Sequence, residues 1–541
     1  MSLFFVLKKQ ISKFKLMKQI LILILIFTFQ VVHTQTEDAW VFFTGKPQAN
    51  TFLSNPLNML SQRSLDRRAR LGINLDQKDV PVDDNYINQV RQASGITYKA
   101  KSKWLNAVHV TGTQNDIQNL LNLNFVNKIE FANKNIGVIT RPHPYGEQTV
   151  SIASRRVNFD YGYGAGQINM LHGEVMHQHN YTGEGVLVGI IDAGFEDVNT
   201  AALFQHLFQN NKVIDVYNFV SNDANVYQFS MHGSGVLSTI AAKSQSVLVG
   251  TAPDVSVALY VSEDVSQEMP IEESYWAEAA ERADSIGVDV INTSLGYTTF
   301  DRPEYSYTMA DLDGQTSFVS RAAEIAVSRG INVVVSAGNS GNTSWPKIGM
   351  PADAVSVITV GAVDDTRQRT SFSSIGPTAD GRIKPEVMAQ GAGTAVYWYG
   401  QIQGLSGTSF SSPITAGMVA CMVQAFPQKT PAQIKQDLIS ISDRFNNPDN
   451  DYGFGIPDFS QYNLTGISEF QSKNTIVYPN PAHQYIFVKS KNNIDYQMFT
   501  MEGKLILSGK SNQNIINISQ LPKGIYLLKT DNEIHKIKVI N

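Results

Sequence analysis

Between about residues 162 and 463 the chain alternates near-continuous apolar runs with stretches of helical periodicity, and the clearest runs fall at 186–191, 255–260, 288–292, 333–336 and 357–360. They are rich in Val and Ile and flanked by glycine. Strands buried on both faces read this way, and helices between them predict a mostly parallel sheet covered on both sides, an α/β core. The N-terminal texture differs: alternating segments at 40–43, 107–111 and 128–132, with a helical pattern at 115–123, predict a small α+β unit. After residue 467 come short alternating strands at 485–488, 504–507, 515–518, 525–529 and 536–540. Turn sequences such as Met501-Glu502-Gly503 and Leu521-Pro522-Lys523-Gly524 separate them, the pattern of a small all-β sandwich. The boundaries implied are 1–35, 36–145, 146–463 and 467–541.

Composition fits several packed cores: 541 residues, 43% apolar and 17% charged. A net charge of -5 is small for this size and gives no reason to expect nucleic acid as a partner. The leading segment is different. Lys8, Lys9, Lys13, Lys15 and Lys18 precede an apolar run over 20–29, too short for a comfortable membrane span, and polar sequence follows, so residues 1–35 read as a secretory signal peptide. Cys421 is the only cysteine, which excludes an intrachain disulfide; in its apolar stretch it reads as a small buried hydrophobe. Arg63, Arg67, Arg68 and Arg70 suggest either a processing site or, as is usual for a basic run on a helix, a solvated face, and the second reading is adopted. His172, His177 and His179 lack the i, i+4 spacing of a helical zinc site and are assigned to a surface-facing helix.

Three segments carry candidate chemistry. Asp192 ends the strand Val188-Gly189-Ile190-Ile191 and enters the turn Ala193-Gly194; alone, an Asp beside Gly reads as a turn former. His232-Gly233-Ser234-Gly235 opens a helical stretch, where a lone histidine could be a cap. The sequence Gly404-Leu405-Ser406-Gly407-Thr408-Ser409-Phe410-Ser411-Ser412-Pro413 runs directly into another helix. Attack by a serine needs a hydroxyl at a tight turn, a histidine to take its proton and a buried carboxylate to orient that histidine, and the three segments supply one each. Ser409 at a helix N-terminus also turns backbone N–H groups toward charge developing on a substrate oxygen. Asn339, in Val335-Ser336-Ala337-Gly338-Asn339-Ser340-Gly341, is a candidate second donor; alone it reads equally as a left-handed turn residue.

Together these segments resemble the subtilisin-like serine peptidases, whose chain order Asp, His, Ser sets them apart from other triad folds. The resemblance spans roughly 181–459 and includes the His-Gly and Gly-Thr-Ser-x-Ser-x-Pro signatures, Ala337-Gly338-Asn339, the Val360-Gly361-Ala362-Val363-Asp364 stretch and Ser371-Phe372-Ser373-Ser374. It implies a secreted endopeptidase working through an acyl-enzyme: Asp192 orients, His232 acts as base then acid, Ser409 attacks and Asn339 stabilises the oxyanion. By the same resemblance Ser294-Leu295-Gly296 pairs with substrate and lines the first pocket, Ala337-Gly338 forms the opposite wall and Gly349 the floor, leaving room for a large apolar or aromatic residue before the cut. Two departures stand out: Ser234-Gly235 replaces the usual Thr-His pair, and Ala193 follows Asp192 where Ser or Thr is normal. No catalytic cofactor is implied, and calcium stays a candidate with no local motif behind it.

The flanks extend the resemblance. Residues 36–145 are similar to the prodomains of these peptidases, which assist folding and then act as inhibitors until cut away between about residues 135 and 164; an unrelated domain is the other reading. Ile476-Val477-Tyr478-Pro479-Asn480-Pro481, Met501-Glu502-Gly503-Lys504 and Leu521-Pro522-Lys523-Gly524-Ile525-Tyr526 resemble the sorting domains of the type IX secretion route, against the alternative of a carbohydrate- or protein-binding module. The implied partners are peptide substrates, the chain's own prodomain and the secretion machinery, for a monomer that is extracellular or on the outer-membrane surface. A catalytically silent adhesin or scaffold is the rival reading, and it would require loss of a reacting residue, which the chain does not show. A lipase would show a Gly-x-Ser-x-Gly elbow and the order Ser, Asp, His, and is rejected.

Overall fold

The computed structural model describes residues 35–138, 159–464, 476–478, 482–489, 495–500, 504–511, 515–530 and 533–540. The expected signal peptide, most of the expected prodomain junction, and the turns at 479–481 and 501–503 lie outside the described residues. The chain forms two compact units, one reaching Tyr462 and the other beginning at Asn463.

The first unit begins with four strands, β1 (Thr36–Phe43), β2 (Thr97–Ser102), β3 (Ala107–Thr113) and β4 (Val126–Phe131), forming an antiparallel sheet in the order β2-β3-β1-β4. Helices α1 (Gln62–Arg70), α2 (Asp84–Gln92) and α3 (Gln114–Asn119) accompany it, each opened by a Ser, Asp or Thr side chain that accepts backbone N–H groups. Alternate residues of β1 and β3, among them Val41, Val108 and Val110, build the core of this α+β layer with Ile87 and Val90 of α2 and Ile117 of α3.

The main sheet follows: β5 (Leu187–Asp192), β6 (Val213–Asn218), β7 (Ser256–Val261), β8 (Val290–Thr293), β9 (Asn332–Ser336), β10 (Ile358–Val363) and β11 (Val387–Gln390). The order is β11-β10-β9-β8-β5-β7-β6, and every pairing is parallel. All six residues of β5 are buried, the cause of its unbroken apolar run. The longer helices of this region are α4 (His232–Ala241), α5 (Ile271–Ile286), α6 (Phe318–Ser328), α7 (Thr408–Ala425) and α8 (Pro431–Ser440). Of the 18 residues of α7, 17 are buried, as in a helix that runs through a core. Outside the sheet, β12 (Thr394–Trp398) and β13 (Gln401–Leu405) form an antiparallel hairpin.

The second unit is all strand: β14 (Ile476–Tyr478), β15 (Tyr485–Lys489) and β18 (Ile515–Asn517) in one sheet, and β16 (Asp495–Thr500), β17 (Leu505–Lys510), β19 (Gly524–Thr530) and β20 (Glu533–Val539) in another. Ile486, Val488 and Ile516 of the first sheet share one core with Met498, Leu528 and Ile537 of the second.

Two sequence expectations are corrected. The basic face of α1 is solvated only in part: Arg67 and Arg68 are each 1% exposed, while the side chains of Arg63 and Arg70 stay 42% and 33% exposed. Arg68 pairs with Asp284 of α5 at 2.8 Å and with Asp79 at 2.7 Å, Arg67 pairs with Asp284 and donates to Val288 O, and Arg63 and Arg70 pair with Asp289. The guanidiniums serve as a contact between the N-terminal layer and the main sheet's helices, through carboxylates more than 200 residues away that no local pattern announces. Gly287 ends α5 at φ 91, and a Cβ there would lie 2.7 Å from Arg63 Cγ and 2.8 Å from Ser64 N, so glycine admits both the helix stop and the close approach of α1. Nor does His177 face the surface. It is fully buried, with Nδ1 2.8 Å from the Tyr161 hydroxyl and Nε2 2.9 Å from Thr251 O, and burial pushes its pKa down to about 4. A neutral imidazole with both nitrogens engaged is a packing residue. Cys421 is buried, as expected.

Candidate active site

Neighbouring strands deliver the site. β5 lies beside β8, and β8 beside β9, so Asp192 at the end of β5, Ser294 just after β8 and Ala337, Gly338 and Asn339 just after β9 leave the sheet side by side. The carboxyl edge of an open parallel sheet, where the strand order reverses, is the usual place for a ligand.

Asp192 is fully buried and His232, the first residue of α4, has its side chain 29% exposed, with Nδ1 2.7 Å from Asp192 Oδ1. Ala193 N donates to the same oxygen at 2.8 Å, while Oδ2 has no hydrogen-bond partner among the described residues. Ala193 carries no hydroxyl to serve it. Burial alone would lower the His232 pKa, but the Asp192 charge, its hydrogen bond and the Glu263 carboxylate outweigh burial and hold it above the ordinary imidazole value.

Ser409 is the second residue of α7, in the turn whose backbone N–H groups lack intrahelical partners. Its side chain borders Ser294: Ser294 Oγ donates to Ser409 O at 2.8 Å and Ser409 Oγ to Ser294 O at 3.4 Å. The next residue, Phe410, has its ring 6.1 Å from that of His232. Asn339 is tied down at one end of its amide: Oδ1 accepts from Thr408 N at 2.8 Å and Thr408 Oγ1 at 2.9 Å. The Thr408 hydroxyl in turn accepts from Gly338 N at 3.1 Å. With Oδ1 so occupied, Nδ2 is the end left for another partner.

Gly349 and Gly296 approach across the strip that precedes Tyr297: a Cβ on Gly349 would lie 3.7 Å from the Gly296 backbone and 3.3 Å from Thr298 Cγ2. Tyr297 and Met350 exchange backbone hydrogen bonds at 2.8 and 3.2 Å. Gly338, at φ 106, borders Ser374 and the Gly349 backbone. The segments 294–296 and 337–338 therefore flank Gly349. On the other side, His232, Ala193 and Ser294–Gly296 line a cavity of about 560 Å³ whose remaining wall includes Glu263, Asp264, Glu268, Glu272 and Asp301. No lysine or arginine lines it among the described residues. Burial, then nearby carboxylates, pushes Glu268 up to about 7 and Glu272 up to about 9.

Sequence reading missed this acidic loop, the Thr408 clamp on Asn339, and the packing at Gly235, where Trp398 and Phe410 fill the space beside the helix. Thr408 was legible as part of its motif; Trp398 had no local signal. Among the described residues no group of three or more His, Cys, Asp or Glu is placed to hold a metal.

Residues 183–455 match the Subtilase family, residues 38–147 the peptidase S8 propeptide domain of Bacteroidota, and residues 476–540 a secretion system C-terminal sorting domain. Subtilisin DY of Bacillus licheniformis is 33% identical over 278 residues, 51% of this chain and 90% of that protein. The subtilisin of Bacillus pumilus is 34% identical over 279 residues, 51% of this chain and 90% of its own length. A solved structure described as MycP1 from the ESX-1 type VII secretion system is 22% identical, with a TM-score of 0.43, covering 58% of this chain and 90% of that one.

Proposed function

The chain belongs to the subtilase family of serine-type endopeptidases, and on that premise we propose that Asp192, His232 and Ser409 are its catalytic triad and Asn339 an oxyanion donor. The observation that carries the reading is the 2.7 Å contact of His232 Nδ1 with a fully buried Asp192, which leaves Nε2 as the nitrogen for a hydroxyl. Ser409 Oγ, freed from its long contact with Ser294 O, passes its proton to Nε2 as it attacks the scissile carbonyl carbon. The carbonyl oxygen takes the electron pair and is met by Asn339 Nδ2 and the Ser409 backbone N–H. His232 then returns the proton to the departing amine nitrogen, leaving Ser409 acylated, and water repeats the sequence to release the acid. Subtilases need no catalytic cofactor, and no step here uses one.

Asn339→Ala is expected to lower kcat by about 10²–10³ with KM little changed, the size of effect that the same loss has in subtilisin. A rise in KM with kcat intact would make Asn339 a substrate-binding residue instead. The acid limb of kcat/KM is expected above the free-imidazole value of about 6.5, because His232 must be neutral to act and its surroundings favour the charged form. Burial pushes Glu263 up to about 7, so its charge is only partly present on that limb, and Glu263→Gln should move the limb to lower pH by a small amount; a move to higher pH contradicts the coupling of Glu263 to His232.

Ser294, Leu295, Gly296, Ala337, Gly338 and Gly349 are proposed to line the slot for the residue before the cut, with large apolar residues preferred. Hydrogen bonds from Ser266 hold Asp264 below the ordinary carboxylate value, and Glu268 gains its charge above about pH 7, so the wall beyond Ser294–Gly296 should add a preference for Lys or Arg at positions further toward the substrate's N-terminus that strengthens as pH rises. A peptide-library cleavage profile checks both; selection of Arg or Asp immediately before the cut would sink the first, and indifference to upstream charge the second.

The sorting domain places the protein on the type IX route to the exterior or the cell surface. No helix among the described residues is long and apolar enough to cross a membrane. The propeptide domain at 38–147 is proposed to act as the peptidase's inhibitor until it is cut away. Its support is the depth of the contact: Trp40 stacks on Phe318 at 4.9 Å and donates to Ser274 Oγ at 2.8 Å, and Glu281 accepts from the backbone of Lys103 and Trp104.

A further inference from the structure

Gly235 lies one helical turn beyond His232 on α4, and the space above it is closed by two aromatic rings. A Cβ at Gly235 would stand 3.3 Å from Phe410 Cε1 and 3.4 and 3.5 Å from Trp398 Cε3 and Cζ3. Phe410 adjoins Ser409 in sequence and packs its ring 6.1 Å from the His232 ring at 38°. Trp398 comes from the hairpin β12–β13, which belongs to no other sheet, and β13 runs on through Ser406 and Gly407 into Thr408 and Ser409. One end of this hairpin is thus covalently the serine turn, and its other strand grips the histidine helix.

The grip is polar as well. Tyr397 N donates to Ser238 Oγ at 2.9 Å, and that hydroxyl donates to Gly235 O at 2.6 Å. Gln167 holds the start of β12 through both backbone groups of Ala395, at 2.9 and 3.3 Å. Tyr397 packs edge-on against Phe204 at 5.8 Å, while Tyr399 at the tip is 63% exposed.

We infer that Trp398 is a positioning residue, the part of the hairpin that fixes the spacing between His232 on α4 and Ser409 on α7. The inference rests on the triad reading above. The two reacting groups come from separate elements, and displacement of a reacting group by about 1 Å costs on the order of 10² in rate. Trp398 borders Gly235 on one side of the space whose other side is the Phe410 ring, and that ring lies beside the imidazole. A small residue at 235 and a large one at 398 are one complementary pair, so exchanging sizes at either position should misalign the hydroxyl and the imidazole.

The test compares wild type with Trp398→Ala, Trp398→Phe, Gly235→Ala and the Gly235→Ala, Trp398→Phe double variant. For each, the readouts are kcat and KM on one peptide, the rate at which a fluorophosphonate labels Ser409, and Tm. Trp398→Ala should lower kcat and the labelling rate together by ~10–100-fold with KM within about twofold, and Trp398→Phe should restore most of that loss. Gly235→Ala, whose Cβ would ask the Phe410 ring to give by a few tenths of an ångström, should lose rate by a smaller factor, and the smaller ring that Trp398→Phe brings to the double variant should recover that rate without a matching rise in Tm, which relief of a packing defect alone would not do. Labelling of Trp398→Ala at the wild-type rate overturns the inference, as does a loss confined to KM. A fall in Tm tracking activity, with no rescue by the phenylalanine substitution, also overturns it and leaves a structural role. Should Trp398→Ala not fold, Trp398→Phe and Gly235→Ala decide, and equal rates in these two and wild type count against the proposal. Wild type that does not label at Ser409 is a different failure, that of the triad itself.

Discussion

Ser409→Ala is expected to abolish peptide hydrolysis, with kcat falling by about 10⁶ as the same change does in subtilisin, while the fold is kept. The hydroxyl forms one long hydrogen bond, 3.4 Å to Ser294 O, so its removal costs little packing or pairing. What disappears is the electron pair that attacks the carbonyl. Because the chain carries its own propeptide domain, the variant is also expected to keep residues 36–145 attached, since no active copy is present to cut the junction. Intact mass and casein hydrolysis on the purified protein check both points. A variant that still sheds its N-terminal region in pure form would mean that another residue is the nucleophile or that another peptidase does the processing, and casein turnover separates these two.

Asp284→Ala is expected to have the second largest effect, on the propeptide rather than on the chemistry. Asp284 is fully buried and holds both Arg67 and Arg68. Burial would raise its pKa, but the Arg68 and Arg67 charges overrule this and hold it down at about 2. A folded-state pKa below the unfolded one means that the stabilisation is fully present above the ordinary carboxylate range, near ~3.9, and is lost as pH falls toward about 2. Mild acid therefore does not release this contact. Removing the carboxylate leaves two buried guanidiniums, with Asp79 near only one of them, and breaking a buried pair in this way costs about 3–5 kcal/mol. The free N-terminal domain, added to the processed enzyme, should inhibit the Asp284→Ala form about 10²–10³ times more weakly than wild type, the fold-change that most of this cost corresponds to. Unchanged inhibition would place the grip elsewhere, at Glu281 or Trp40.

These two expectations differ in how far the sequence announces them. The segments of the proposed triad were legible because Asp192 ends a strand buried on both faces and enters a glycine turn, while His232 and Ser409 stand close to glycine at the openings of helices. Burial on both faces made β5, β7, β8, β9 and β10 readable as well. β6 and β16 were not: the first lies at the sheet edge with most of its residues half-buried, and the second, Asp495–Thr500, has one buried residue among those described. The arginines of α1 looked like solvent-facing charge because helix periodicity says nothing about a carboxylate brought in from residue 284. The same limit hid the acidic wall at 263–272 and the ring of Trp398, which acquire meaning only when separate elements meet. Gly235 was visible as a departure from the family pattern, but its filling by Trp398 and Phe410 was not.

The most direct test of the account is to treat the processed wild type, Ser409→Ala and His232→Ala with a fluorophosphonate and to map the labelled peptide by mass. The account predicts one adduct, on Ser409, in wild type, with none in either variant. An adduct on another residue, or equal labelling of His232→Ala, would contradict the triad assigned here.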